Sequence, residues 1–116
     1  LCINGSCKTS WPGTLGSWTS AAVNTIYHPT TDVLVTAYVN ANTSIDSCDI
    51  LGYTDSSATP TTLRVAATAN NNQSTSPNIY VIYSSITMPV RANDYFKVGT
   101  YARQGSCLYS VSYIAI

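Results

Sequence analysis

Few side chains in this sequence could carry out acid–base or nucleophilic catalysis. The 116 residues contain one histidine, His28, and five carboxylates, all of them aspartates. His28 directly precedes Pro29 in a segment of turn composition, where a histidine is usually a packed or solvated turn residue. A serine nucleophile elbow requires Gly-x-Ser-x-Gly, and Gly16-Ser17-Trp18 lacks both the second glycine and a following helix. The sequence therefore does not indicate a hydrolase triad.

Paired carboxylates and metal ligands are also weakly represented. Glycosidases need two carboxyl groups roughly 5–10 Å apart, but Asp46 and Asp49 would point to opposite faces of a strand. Loop aspartates offer oxygen ligands for calcium, although the repeated Asp-x pattern of a calcium loop is missing. A glycine-rich phosphate loop is missing as well. We expect a domain that is not an enzyme and that uses no metal and no cofactor.

Four cysteines, Cys2, Cys7, Cys48 and Cys107, indicate an oxidising compartment, because an even number in a short chain is typical of disulfide-bonded proteins. Zinc binding would need closely spaced ligands, which only Cys2 and Cys7 approach. Asn4-Gly5 favours a two-residue hairpin turn, which places Cys2 opposite Cys7 at a distance that suits a disulfide. We expect Cys2–Cys7 and Cys48–Cys107 disulfides in an extracellular, cell-surface or periplasm-exposed protein.

Charged residues make up only 9% of the chain, and five Lys or Arg balance five Asp. Ordinary soluble domains contain about 25%. Nucleic-acid binding requires clustered basic residues that neutralise phosphates, and the basic residues here are scattered. The apolar runs are far shorter than the roughly 20 residues that a membrane-spanning helix needs. We expect no nucleic-acid partner and no membrane span.

The periodicity of the chain is that of strands. In residues 32–41 (DVLVTAYVNA), every second residue from Val33 to Val39 should share one face, with Leu34, Thr36 and Tyr38 on the other. Turn residues separate the apolar segments, and helix-forming segments are missing. This pattern indicates an all-β fold, an antiparallel β-sandwich of jelly-roll type. The predicted strands are residues 25–27, 32–41, 45–53, 62–69, 79–88, 95–102 and 107–116.

The chain divides into a short N-terminal part and one larger domain. Residues 1–20 are predicted to be a hairpin with a connector, and residues 21–116 a β-sandwich. Because an isolated two-stranded hairpin is marginally stable in water, we expect three chains to lie side by side as a homotrimer. Since the sequence opens within the hairpin at Leu1-Cys2, we also expect it to be a piece from which an N-terminal region has been removed.

Nine tyrosines against one phenylalanine are the strongest compositional bias. Tyrosine is commonly a packing residue in strands, but it is also enriched at subunit interfaces and recognition surfaces. Sugars suit such surfaces, because their C–H faces stack on aromatic rings while amides and carboxylates bind the hydroxyls. Residues 70–74 (NNNQS) supply several amides, unless this is only a flexible polar loop.

Alternating strand directions place the turns at two ends of the sandwich. Turns 29–31, 54–61 and 89–94 should share one end, and turns 42–44, 70–77 and 103–106 the other. We predict the ligand site at the second end; a flank of the sandwich, at a cleft between subunits, is the alternative. The predicted ligand-binding residues are Asn42, Asn70, Asn71, Asn72, Gln73, Tyr101, Arg103 and Gln104.

Two stretches resemble a known family. Residues 1–12 (LCINGSCKTSWP) are similar to the segment that ends the fibrous shaft in phage-tail-fibre-like proteins of bacteria. The segments TIY (25–27), YTDSS (53–57), TTLRV (61–65) and MPVRANDYFKV (88–98) resemble the C-terminal head of trimeric fibres, in which a proline-containing turn precedes an aromatic pair. The chain thus resembles the tip domain of trimeric phage-tail-fibre-like adhesins, as on predatory bacteria such as Bdellovibrio.

The resemblance implies a homotrimer whose shaft ends in residues 1–20 and whose tip recognises a surface glycan or another envelope component of a target cell. The cysteines are a departure from many phage heads and favour a cell-surface protein over a phage particle. Two alternatives stay open. One is a structural fibre or pilin-like subunit without its own ligand, and the other is a small secreted polysaccharide hydrolase.

Overall fold

The computed structural model describes residues 2–3, 6–7, 16–71 and 81–116, and for residues 2–3 and 6–7 the backbone alone. Within these residues every regular element is a strand. The longer strands are rich in the β-branched and aromatic residues that fit a pleated, half-buried surface. In chain order they are β1 (Cys2–Ile3), β2 (Ser6–Cys7), β3 (Thr19–Ala21), β4 (Ile26–Tyr27), β5 (Val33–Asn40), β6 (Ser47–Asp55), β7 (Leu63–Asn70), β8 (Tyr83–Val90), β9 (Tyr95–Gln104) and β10 (Leu108–Ala115).

Strands β3 to β10 form two antiparallel sheets of four strands each. The first sheet has the order β3-β10-β5-β8, and the second has the order β4-β9-β6-β7. Buried side chains of both sheets meet in a single hydrophobic core. The fold is therefore an all-β, antiparallel β-sandwich, as the sequence predicts.

The core is built from alternate residues of the long strands. Every second residue of β5 from Val33 to Val39 is buried, which confirms the predicted core face of this strand. From the second sheet, Phe96 is fully buried. Its ring stacks on Tyr27 with 5.2 Å between centroids and meets Tyr113 edge-on at 5.7 Å. Aromatic contacts of this kind join the two sheets across the core.

A disulfide also joins the two sheets. Cys48 lies in β6 of the second sheet, and Cys107 lies directly before β10 of the first. Their Cα atoms are 6.4 Å apart and the two sulfurs are bonded. The predicted Cys48–Cys107 pairing is confirmed.

The N-terminal hairpin has the register that Asn4-Gly5 predicts. β1 and β2 pair so that Cys2 lies opposite Cys7 and Ile3 lies opposite Ser6. The side chains of Cys2 and Cys7, and with them the predicted disulfide, lie outside the described residues.

The chain direction gives the sandwich two distinct ends. β3 pairs with β10 so that Thr19 lies opposite Tyr113. A Cβ atom on Gly16 would lie 3.5 Å from the Cβ of Ala115. Residues 16–18 therefore lie at the end where β10 finishes, which we call the proximal end; the opposite end is the distal end.

Backbone hydrogen bonds show which loops lie together at each end of the sandwich. At the proximal end, Asn93 N donates to Pro29 O over 2.8 Å. At the distal end, Asn71 N donates to Asp46 O over 2.8 Å. Loops 28–32 and 91–94 thus meet at the proximal end, and the loop 41–46 meets the end of β7 at the distal end.

The observed strands match the predicted ones to within one or two residues in most cases, and the larger differences have physical reasons. β3 is not predicted, because Thr-Ser-Ala has no apolar alternation, and it spans the predicted boundary at residue 20. The strand predicted at 45–53 is β6, which begins at Ser47 because Asp46 N donates to Thr43 O over 3.1 Å and closes a turn. The strand predicted at 79–88 is β8, Tyr83–Val90, and residues 79 and 80 lie outside the described chain.

Candidate functional site

Register in the second sheet brings polar residues of three strands together on its outer face. Alternate residues of β6 from Cys48 to Thr54 are buried, so the residues between them point outward. Asp49 lies opposite Tyr101 of β9 on one side and Thr68 of β7 on the other. We call this surface, toward the distal end of the sheet, the distal platform. It consists of Ser47, Asp49, Thr68, Asn70, Tyr101, Arg103 and Gln104.

Asp49 is held in place at the centre of the distal platform. Thr68 Oγ1 donates to Asp49 Oδ1 over 2.7 Å, and Arg103 Nη2 donates to Asp49 Oδ2 over 2.8 Å. The side chain of Asp49 is 15% exposed and that of Arg103 is 51% exposed. An ion pair this exposed contributes at most about 1 kcal/mol to stability. Its main effect is to fix the directions of a carboxylate and a guanidinium on the surface.

Tyr101 adds an aromatic surface beside this ion pair. Its side chain is 58% exposed, directly opposite Asp49 in the sheet. An exposed phenol ring can stack against C–H groups, and its hydroxyl can donate or accept a hydrogen bond. Aromatic, anionic and cationic groups are therefore adjacent on one face of the sheet.

The outer face continues toward the proximal end with small and aromatic residues. Leu51 lies opposite Gly99 and Ala66 in the next outward row. The ring of Tyr53 covers Gly99, because a Cβ atom on Gly99 would lie 3.1 Å from Tyr53 Cε2. Lys97 Nζ lies 5.3 Å from the centroid of the Tyr53 ring, within cation–π range. The face thus carries Tyr101 and Tyr53, separated by one row of uncharged residues with short or no side chains beside Leu51.

Asp46 ties the distal loops together. The residue is 1% exposed, and its carboxylate accepts hydrogen bonds from Thr43 N over 3.0 Å and from Ser106 N over 3.1 Å. Burial raises the pKa of the Asp46 carboxyl, but hydrogen bonds from Thr43, Ser106 and Asn42 outweigh it, so this pKa lies below its ordinary value. Gly105, with φ 67°, passes so close that a Cβ atom would overlap the Asp46 carboxylate.

Half of the predicted ligand-binding residues lie on the distal platform. Tyr101, Arg103 and Gln104 are at the distal end of β9, and Asn70 is at the distal end of β7. Gln104 and Asn70 lie on either side of Ser47, one row beyond Asp49. The structure therefore places these four residues on β7 and β9, at the same end of the face and on either side of β6.

The other four predicted residues lie elsewhere. Asn42 is exposed in the distal loop 41–46. Asn71 is buried, and its Nδ2 donates to Ala41 O over 3.0 Å, so its amide joins two distal loops. Asn72 and Gln73 lie outside the described residues.

The sequence-based reasoning did not assign Asp49, Thr68 and Ser47 to the ligand site. Period-two alternation shows that Ser47 and Asp49 share one face of β6. It does not show that this face meets Tyr101 and Thr68, because that depends on the register between three strands.

The side chains considered for catalysis have separate hydrogen-bond partners and do not form one cluster among the described residues. Within residues 16–71 and 81–116, Asp46 and Asp49 share no hydrogen-bond partner. At the proximal end, His28 stacks on Tyr95 with 3.9 Å between ring centroids, and His28 Nε2 lies 3.1 Å from Asn93 O. Among residues 16–71 and 81–116, no group of three His, Cys, Asp or Glu side chains could hold a metal ion.

The outer face of the first sheet has a different character, because none of its strand residues is charged. Tyr38 and Leu108 are exposed near its distal end, and Tyr83 is exposed beside Asn40. Rows of serine and threonine occupy the middle of the face, where Thr36 Oγ1 lies 3.3 Å from Ser112 Oγ. We call this surface the neutral face. It consists of Ser20, Leu34, Thr36, Tyr38, Asn40, Tyr83, Ser85, Thr87, Pro89, Leu108, Ser110 and Ser112.

The described part of the chain contains no helix with the length and apolar character needed to cross a membrane. Comparison of the chain with protein-family models, with curated proteins and with solved structures finds no match. The functional assignment therefore rests on the geometry of the distal platform and the neutral face.

Proposed function

We propose that this domain is the receptor-binding tip of a trimeric extracellular fibre, and that the distal platform binds a glycan or another envelope component of a target cell. The observation that carries the proposal is the Asp49–Arg103 pair, fixed by Thr68, beside the exposed ring of Tyr101. The chemistry is binding rather than catalysis.

A glycan suits the groups on the distal platform. The ring of Tyr101 offers a flat apolar surface to sugar C–H groups, while the Asp49–Arg103 pair offers both acceptors and donors to sugar hydroxyls. Because the pair is already ordered by internal hydrogen bonds, little side-chain entropy is lost when a ligand binds. The pre-ordered pair therefore favours ligand binding even when the contact area is small.

The position of the distal platform fits a tip. Residues 16–18 lie at the proximal end of the sandwich, and the distal platform lies toward the other end. A fibre that continues from the N-terminal hairpin would present the distal platform outward.

Strand pairing supports a jelly roll as the type of sandwich. The eight strands β3 to β10 pair as nested hairpins: β3 with β10, β4 with β9, β5 with β8 and β6 with β7. Two four-stranded sheets formed in this way are the arrangement found in jelly rolls, a fold that also occurs in lectin domains. The fold by itself does not assign a function.

The neutral face supports the trimer. A surface that packs against neighbouring copies cannot carry uncompensated charges without a desolvation cost. The neutral face has none, whereas the outer face of the second sheet carries Asp49, Lys97 and Arg103. Exposed Tyr38, Tyr83 and Leu108 supply apolar area for such contacts.

A glycan array with the intact chain tests the binding function. We expect hits that Tyr101→Ala and Arg103→Gln each weaken at least roughly tenfold, because each removes a stacking or charge-assisted contact. Lys97→Gln is the matched control, because it also removes a positive charge from the outer face of the second sheet but lies outside the distal platform. Hits among neutral glycans that survive both distal changes, or that the control also abolishes, would refute the assignment.

The neutral face also favours a second candidate, a structural fibre or pilin-like subunit without its own ligand. An array without hits, together with ordered self-assembly of the chain, would establish that function in place of a receptor-binding tip.

A further inference from the structure

An open pocket lies at the edge between the two sheets, in their proximal half. Its volume is ≈ 420 Å³, which falls in the range of small-molecule sites. Met88 and Val65 supply apolar walls, and Met88 is almost fully buried. The lining residues are Thr54, Arg64, Val65, Met88, Pro89, Arg91 and Asp94.

Two arginines line this pocket, and each is anchored through its Nε atom. Arg64 Nε donates to Thr54 O over 3.1 Å, and Arg91 Nε donates to Asp94 Oδ2 over 3.1 Å. Among the described residues, the Nη groups of these two side chains make no hydrogen bond within the protein, and Arg64 forms no ion pair. The terminal donors of both guanidinium groups are thus left for a ligand.

Both arginines are attached to ordered segments. Next to Arg64, the carboxylate of Asp55 accepts hydrogen bonds from Thr61 N and Thr62 N, each over 3.0 Å. Next to Arg91, Asp94 N donates to Arg91 O over 3.0 Å and closes a turn. Both side chains therefore start from ordered backbone; the Arg91 side chain itself is 82% exposed and is held by its single bond to Asp94.

The charges of the pocket suit a monoanion. Arg64 and Arg91 contribute two positive charges and Asp94 contributes one negative charge, so one positive charge is left over. A carboxylate matches this excess and can pair with a guanidinium in the bidentate geometry that arginine favours. A dianionic phosphate carries more negative charge than this excess neutralises, and Asp94 would repel it more strongly than it repels a monoanion.

We propose that this pocket binds a carboxylated sugar residue, such as a hexuronate within an acidic polysaccharide. The carboxylate pairs with Arg64 and Arg91, the C–H face of the sugar ring packs on Val65 and Met88, and Asp94 accepts a ring hydroxyl. This site is separate from the distal platform and does not depend on the function proposed for it.

Calorimetric titration of the intact chain with tri-galacturonate, its methyl ester and neutral galactotriose tests the inference. We expect tri-galacturonate to bind at least tenfold more tightly than either uncharged analogue, because only the acid pairs with both guanidinium groups. Arg64→Gln and Arg91→Gln should each lower the affinity about tenfold or more. Lys97→Gln, which also removes a positive charge but lies outside both the pocket and the distal platform, should leave it unchanged.

Each competing explanation has its own outcome. Equal affinity for acid and methyl ester would overturn the inference with the unmodified protein, even if Arg64→Gln does not fold. Equal affinity for glutarate would overturn the sugar part, and tighter binding of inorganic phosphate would overturn the carboxylate part. Loss of affinity with Arg103→Gln alone would assign the acid to the distal platform instead.

Discussion

The aspartates of this domain act mainly as acceptors of backbone hydrogen bonds. Asp46 holds the distal loops through Thr43 N and Ser106 N, and Asp55 holds the loop 56–62 at the proximal end. Carboxylates bonded in this way order a loop without a regular element. Two of the five carboxylates are therefore used to shape the ends of the sandwich that carry the candidate sites.

Asp55 should make the stability of the domain depend on pH in acid. Hydrogen bonds from Ser57 and Thr62 lower the pKa of Asp55 from 3.8 to about 2. A carboxyl whose pKa is lower in the folded chain stabilises it fully above the unfolded value, and the contribution is lost as pH falls through the folded value. We expect the stability difference between the wild type and Asp55→Asn to be constant at neutral pH and to shrink between about pH 4 and pH 2.

Urea unfolding at a series of pH values measures this difference. Thr59→Ala, a change in the same exposed loop, should unfold with the pH dependence of the wild type. A difference between wild type and Asp55→Asn that persists unchanged at pH 2 would contradict the role assigned to Asp55.

At the scale of elements, the sequence predicts most strands because their alternation is local. In β5 the predicted buried face from Val33 to Val39 is the observed one. β3 is not predicted because its three residues carry no alternation and because its partner residues in β10 lie 90 to 94 positions later in the chain. Strand existence is encoded locally, whereas strand partnership depends on the whole topology.

The Cys48–Cys107 disulfide should contribute a large share of the stability. The two cysteines are 59 residues apart in sequence, and cross-linking a loop of that length raises the free energy of the unfolded chain by about 4 kcal/mol at room temperature, because it removes conformational entropy. We expect the double variant Cys48→Ala with Cys107→Ser to lose about this much unfolding free energy, as measured by urea denaturation.

Reduction provides the control for the disulfide. In the presence of a strong reductant, wild type and double variant should unfold at closely similar urea concentrations. A gap of the same size with and without reductant would mean that the substitutions act through packing of Cys48 instead.

At the scale of the whole molecule, the candidate sites could be predicted only in part. Tyr101, Arg103, Gln104 and Asn70 are predicted because turn and strand-end chemistry is visible locally. The pocket lined by Arg64 and Arg91 is not, since Arg64 lies in β7 of one sheet and Arg91 directly follows β8 of the other, and these two edges meet only through the nested pairing of strands.

The neutral face should mediate trimer formation. We expect the intact chain to sediment with three times the monomer mass of 12.4 kDa. Thr87→Arg, which places a charge on the exposed centre of the neutral face, should shift the protein to monomer because a buried unpaired charge is costly. Thr59→Arg, in an exposed proximal loop, should remain trimeric. A wild-type monomer at all concentrations in sedimentation equilibrium would refute the trimer.

The placement of the Cys48–Cys107 bond determines how the domain would respond to mechanical load. Tension between residues 16–18 and a ligand on the distal platform would pull β3 along its own axis against β10, so that its hydrogen bonds must rupture together rather than in succession. If β3 gives way, extension of the chain stops at Cys48, because the covalent bond closes the segment that follows. All residues of the distal platform except Ser47 lie inside that closed segment. Unfolding that starts at residues 16–18 would therefore leave these residues in place.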